Sequence, residues 1–178
     1  MRKLKNEELN RLSIEEYKKA TKSPIVVVLD NIRSQNNIGS IFRTCDAFRV
    51  EELLLCGITA TPPAREIQKT ALGSTESVEW KYFDKTEEAV FYLRNKNYKI
   101  ISIEQVENSI KLHNFIPDKT DKYAFIFGNE IKGVQQSIVD ISDYCIEIPQ
   151  FGTKHSFNVT ISVGIVLWDI LLKMGFIF

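Results

Sequence analysis

Residues 24–43 read PIVVVLDNIRSQNNIGSIFR, and the fold turns on how this stretch divides. After Pro24, Ile25 to Leu29 is an unbroken and largely β-branched run, the pattern of a strand buried on both faces. Small and polar residues follow Asp30, and helical spacing takes over across about 39–48. Strand, polar loop and helix in that order form the first half of a βαβ unit.

The alternation continues along the chain. Helical stretches at about 63–72, 85–97, 134–141 and 159–174 separate the apolar strand candidates LLLC, VEWKYF, KIISI, YAFIF and YCIEI. This spacing predicts right-handed crossovers and an α/β fold, a mostly parallel sheet flanked by helices on both faces. The 159–174 stretch is rich in β-branched residues but too long for an ordinary strand. With Ser156 or Asn158 as its cap, it reads as a buried helix.

Upstream, Ser13-Ile-Glu-Glu16 offers a capping box for a short helix through about Ala20, ended by Lys22-Ser23-Pro24. Residues 1–22 are therefore expected to be a short helical extension of a single domain over 23–178.

At 178 residues, 44% hydrophobic and 26% charged, the chain can bury a core without disulfides or metal. Cys45, Cys56 and Cys145 form no CxxC and are expected in the core; with only His113 and His155 beside them, no metal site is predicted. Lys plus Arg and Asp plus Glu both total 23, so a polyanion would have to meet a local patch, not a global field. No signal-like h-region follows the basic start and no apolar run approaches the ~20 residues of a bilayer span, which makes a cytoplasmic location the default.

In a parallel sheet, ligands sit beyond the carboxyl ends of the strands. That rule selects DNIRSQNNIGS, EQVENS, GNEIKGV and PQFGTKHSFN. Individually these loops are ambiguous. GNEIKGV lacks the lysine of a phosphate-binding GxxxxGK[ST], because Val134 stands there, and it serves equally as a tight strand-to-helix turn. Arg43 suits a phosphate but also a surface ion pair, and Asn37 suits a helix cap. Ser156 beside His155 has no GxSxG elbow around it, so a hydrolase ranks below a capping role.

Taken together and in order, NNIGSIFRT, FGNEIKGV and IPQFGTKHSFNVTISVGIVLWDI closely resemble the three motifs of the SpoU or TrmH family of RNA ribose 2′-O-methyltransferases. KTALGSTESVEW, residues 69–80, is similar to that family's middle segment, and the likeness runs from about Pro24 to Leu172. It implies the SPOUT fold with a C-terminal deep trefoil knot, a homodimer, S-adenosylmethionine as cofactor, and tRNA or rRNA as substrate. A catalytically inactive RNA-binding module on the same fold is the alternative, and a generic α/β nucleotide-binding domain ranks last.

By motif position, the resemblance places Gly128, Ile148 and Phe157 in the cofactor pocket, with Ile103 beside them. Leucine is common where Phe157 stands, which implies different packing on the adenine side. Arg43 is the motif-one arginine. A guanidinium holds its proton too tightly for an easy base, so positioning and charge stabilisation suit it better. Asn37, Glu130, Ser156 and Asn158 complete the catalytic set as positioning groups. Basic side chains including Arg2, Lys3, Lys5, Arg11, Lys18, Lys19, Arg33 and Arg65 are candidates for phosphate contacts.

Overall fold

A computed structural model describes residues 1–176, so Ile177 and Phe178 of the expected 23–178 domain lie outside the described residues. In chain order the elements are α1 (Ile14–Lys19), β1 (Ser23–Asp30), α2 (Gln35–Ala47), β2 (Val50–Cys56), α3 (Arg65–Ala71), α4 (Ser74–Ser77), β3 (Trp80–Phe83), α5 (Thr86–Arg94), β4 (Tyr98–Ile103), β5 (Ile110–Lys111), β6 (Lys122–Phe127), α6 (Gln136–Asp140), β7 (Tyr144–Glu147) and α7 (Val159–Met174). The strands form one seven-stranded sheet in the order β3-β2-β1-β6-β4-β7-β5. Every neighbouring pair is parallel.

The β-branched run explains the position of β1 near the middle. Ile25, Val27 and Leu29 enter a core with α2, α3 and α7, while Val26 and Val28 enter a second core with α5 and α6. Successive side chains point to opposite faces, so an unbroken apolar run supplies both layers. Each such side chain contributes about 1.5–3 kcal/mol when fully buried, and an Asp at Val27 would leave a charge in the middle of the larger core. Gly39 lets α2 and α3 touch: a Cβ there would lie 2.0 Å from Thr70 Oγ1 and 2.3 Å from the Ile67 carbonyl oxygen.

The capping box at Ser13 forms as predicted, and Tyr17 of α1 is buried against the main core. Several boundaries differ from expectation. Helix α2 begins at Gln35 instead of Gly39, because the Ser34 hydroxyl accepts from the Asn37 N–H at 3.3 Å. Asn37 thus lies inside the first turn and does not cap it. The 134–141 helix shortens to five residues in α6, and Leu72, with φ of 51°, ends α3 before a separate α4. Strand β5 has two residues and no apolar run to announce it.

Helix α7 has the predicted bounds and Asn158 is its cap, but it is buried on one face only. Ile161, Trp168 and Leu172 are 53%, 58% and 50% exposed along the other. Cys45 and Cys56 are buried as expected, whereas Cys145 is half-buried. Burial pushes the Cys56 thiol up to about 12, with Asp30 adding to the effect, so it stays protonated and inert. Among the described residues, no helix is long and apolar enough to cross a membrane.

Candidate functional site

The loops after β1, β4, β6 and β7 all leave the same edge of the sheet, since the strands are parallel. The β6 loop builds itself. A Cβ on Gly128 would meet the backbone of Gly133 and Val134 at 2.1 and 2.0 Å, so only glycine allows the loop to close. Asn129 and Gly133 exchange two backbone hydrogen bonds, at 3.0 and 2.8 Å. Asn129 Oδ1 also accepts from the N–H groups of Ile131 and Lys132 at 2.9 and 3.1 Å. Glu130 projects from this closed turn.

Its carboxylate accepts from the N–H groups of Arg33 and Ser34, each at 3.1 Å, and from Asn37 Nδ2 at 3.2 Å. These donors stand at the amino end of α2, where unsatisfied N–H groups and the helix dipole both favour an anion. Partial burial works against the charge, but the hydrogen bonds from Arg33, its own N–H, Ser34 and Asn37 outweigh it and hold the carboxyl below the ordinary glutamate value. Asn158 closes the circuit. Its Nδ2 donates to Asn37 Oδ1 at 3.4 Å, while its Oδ1 caps α7 by accepting from the Thr160 N–H at 2.9 Å. The three motif loops therefore meet through Asn37, Glu130 and Asn158.

Beneath this junction is a cavity of about 540 Å³. Ile103, Gly128, Ile148 and Phe157 line it, together with Glu130, Ser156 and Asn158. Asn37 is joined to it through Glu130 and Asn158. The volume falls within the roughly 300–1,000 Å³ of small-molecule sites. A wall that mixes glycine and the apolar side chains of Ile103, Ile148 and Phe157 with the polar ones of Glu104, Gln150 and Ser156 suits a nucleoside cofactor of the size of S-adenosylmethionine.

Arg43 stands apart. Six residues after Asn37, about 9 Å along the helix at 1.5 Å per residue, it lines a second groove of about 1200 Å³ with Arg11, Leu72 and Trp168. Its exposed guanidinium has no hydrogen bond or ion pair among the described residues. The remaining predicted catalytic residues gather at the first cavity, and Arg43 opens onto the other.

Sequence reasoning missed the support of these loops. Asp30, fully buried at the end of β1, accepts from Thr86 Oγ1 at 2.6 Å, from Asn31 Nδ2 and Gln135 Nε2 at 2.8 Å, and from the Gln135 N–H at 2.9 Å. A carboxylate closing an apolar strand was the available signal. Glu104 accepts from the Val134 N–H at 2.9 Å, and Gln105 Nε2 donates to the His155 carbonyl at 2.8 Å, tying the β4 loop to its two neighbours. Neither contact is foreshadowed by spacing.

A parallel sheet whose carboxyl-edge loops converge on one nucleoside-sized cavity defines an α/β cofactor-binding protein. Residues 24–168 match the SpoU rRNA Methylase family, and the chain belongs to that family. It is 31% identical over 149 residues to a tRNA (guanosine(18)-2'-O)-methyltransferase of Aquifex aeolicus, covering 82% of this chain and 67% of the relative. It is 30% identical to the 23S rRNA (guanosine-2'-O-)-methyltransferase RlmB of Neisseria meningitidis, covering 81% of this chain and 56% of the relative. Among solved structures, the A. aeolicus TrmH/SpoU tRNA modifying enzyme superposes with a TM-score of 0.78 at 27% identity, covering 91% of this chain and 80% of that one. The AdoMet-bound rRNA methyltransferase of Sinorhizobium meliloti shares the fold with a TM-score of 0.78 at 23% identity, covering 88% of this chain and 59% of that one.

Proposed function

We propose that this protein transfers a methyl group from S-adenosylmethionine to a ribose 2′-hydroxyl of tRNA or rRNA. The observation that carries the reading is the hydrogen-bonded junction of Asn37, Glu130 and Asn158 over a nucleoside-sized cavity. Membership of the SpoU family and the named activities of the relatives support it. When bound, S-adenosylmethionine supplies an electrophilic methyl group on its sulfonium.

Transfer of that kind needs in-line alignment more than acid chemistry, so the chain's task is to hold groups in place. Gly128, Ile148, Phe157 and Ile103 would hold the cofactor. Glu130 and Asn158 keep the first and third motif loops in register, and Ser156 offers a hydroxyl at the cavity wall. As the methyl group leaves the sulfonium for the ribose oxygen and the hydroxyl proton passes to solvent water, Arg43 would stabilise the charge developing on that oxygen.

We infer further that the protein is a homodimer working in the cytoplasm, with residues 23–178 as its catalytic domain and residues 1–22 as an extension. Ile161, Trp168 and Leu172 make an apolar stripe on α7, and Trp168 shares its groove with Arg43. A second copy over this groove would bury the stripe and put Arg43 at the boundary between protomers. A C-terminal knot is part of the same reading. It is supported by β6 lying between β1 and β4, by the Gln105 bond to His155, and by Lys173 Nζ donating to the Leu112 carbonyl at 2.7 Å.

Incubation of the purified protein with methyl-labelled cofactor and RNA, then nuclease digestion, tests the activity. Label in nuclease-resistant dinucleotides is expected; label confined to bases overturns the assignment. Sedimentation of the Trp168→Lys variant tests the dimer, with a shift to monomer expected.

A further inference from the structure

The loop between β7 and α7 carries a side chain that the cavity does not use. Phe151 is 97% exposed and its ring meets no other aromatic ring among the described residues. It does not hang on a free end. Gln150 before it and His155 after it both line the cavity, and Gln105 pins the loop at the His155 carbonyl. On the β6 loop, Ile131 is 75% exposed and also lines the cavity, on a turn held shut by the Asn129–Gly133 pair. Lys132 and Lys154 are exposed and form no ion pair among the described residues. Two anchored loops thus present bare apolar side chains and unpaired cations beside the mouth of the cavity.

A bare aromatic ring beside unpaired ammonium groups fits a partner with flat apolar faces on an anionic backbone. Bases stack on aromatic side chains once they leave their own stack, while lysines meet the phosphates. Bases inside a continuous A-form helix keep both faces covered. We propose that Phe151 is a stacking platform for an unpaired nucleobase of the substrate RNA at or next to the reacting nucleotide, with Ile131 as an apolar neighbour and Lys132 and Lys154 on the flanking phosphates. The proposal rests on the ribose methyltransferase reading and narrows it, because the preferred substrate then presents unpaired nucleotides to the site.

Two measurements on the full chain test it. In the first, a single-stranded RNA oligonucleotide and the same sequence annealed into a duplex are titrated against the wild type and the Phe151→Ala, Phe151→Leu and Phe151→Trp variants. The wild type should prefer the single strand. Phe151→Ala and Phe151→Leu should lose roughly tenfold in affinity for it, within the range of one base–aromatic stack, and Phe151→Trp should retain it. In the second, methylation of bulk tRNA and rRNA should show KM for RNA raised by a similar factor in Phe151→Ala, with kcat at saturating RNA and calorimetric binding of S-adenosylmethionine unchanged.

Equal binding of single strand and duplex by the wild type overturns the proposal, as does full rescue by leucine or an unchanged affinity in Phe151→Ala. A change of oligomeric state in Phe151→Ala also overturns it, since the ring would then cover a second copy. If the single-strand preference depends on Phe151 but no variant, the wild type included, methylates RNA, the stacking platform stands and the catalytic reading falls.

Discussion

Asn37 donates its side-chain N–H to Glu130 Oε1 at 3.2 Å, joining two residues 93 positions apart in the chain. Through that bond the amino end of α2 and the loop after β6 hold each other. Glu130 also accepts the Arg33 and Ser34 N–H groups, so one carboxylate organises a whole turn of backbone.

Glu130→Gln keeps the shape and removes the charge. Its amide nitrogen then faces an N–H donor that it cannot accept. Because the residue is exposed, the expected loss of stability is only about 1 kcal/mol, read from chemical denaturation. Methyl transfer should fall by at least tenfold, since the junction above the cavity loosens. The acid response follows from the carboxyl being held below its ordinary value. A depressed folded-state value means that the stabilisation is fully present above the ordinary glutamate value of 4.5 and is lost as pH falls through the folded value. The stability gap between wild type and Glu130→Gln should therefore be constant near neutrality and close as the pH is lowered below 4.5.

Asn158 has two separable duties. Asn158→Ala should lose about 1 kcal/mol through the missing cap of α7 and also lose activity. Asn158→Ser retains a capping oxygen but is too short for Asn37 Oδ1. It should keep near-normal thermal stability while activity falls, and a variant equal to wild type in both assays would remove Asn158 from the site.

Arg43 is exposed and has no hydrogen bond or ion pair among the described residues, so Arg43→Ala should change stability by no more than about 0.5 kcal/mol. Methyl transfer should fall about 100-fold or more, the scale of losing a donor to a developing oxyanion. Binding of S-adenosylmethionine, measured by calorimetry, should survive, because Arg43 does not line the cavity.

Asp30→Asn probes the support beneath the loops. The buried carboxylate receives four hydrogen bonds, and an amide would turn one acceptor into a donor facing donors. A loss of about 2–4 kcal/mol in denaturant stability is expected. Thr86→Val, which removes a single donor, should cost less.

The alternation of β-branched runs with helical spacing was enough to establish the parallel sheet and the edge where its loops converge, because strand burial and helix periodicity are local properties of short segments. The order of the three motifs likewise named the family. Tertiary structure alone decided which atoms meet across that edge. Glu130 holds the amino end of α2 through Arg33, Ser34 and Asn37, the last of them 93 residues upstream of it, Asp30 gathers α5 and α6, and β5 pairs with too few residues to leave a pattern. It also showed that α7 is half bare and that Arg43 opens onto a groove apart from the cavity. Such relations depend on how elements pack at a distance, and a pattern read along the chain carries the character of each element but not the identity of its neighbours.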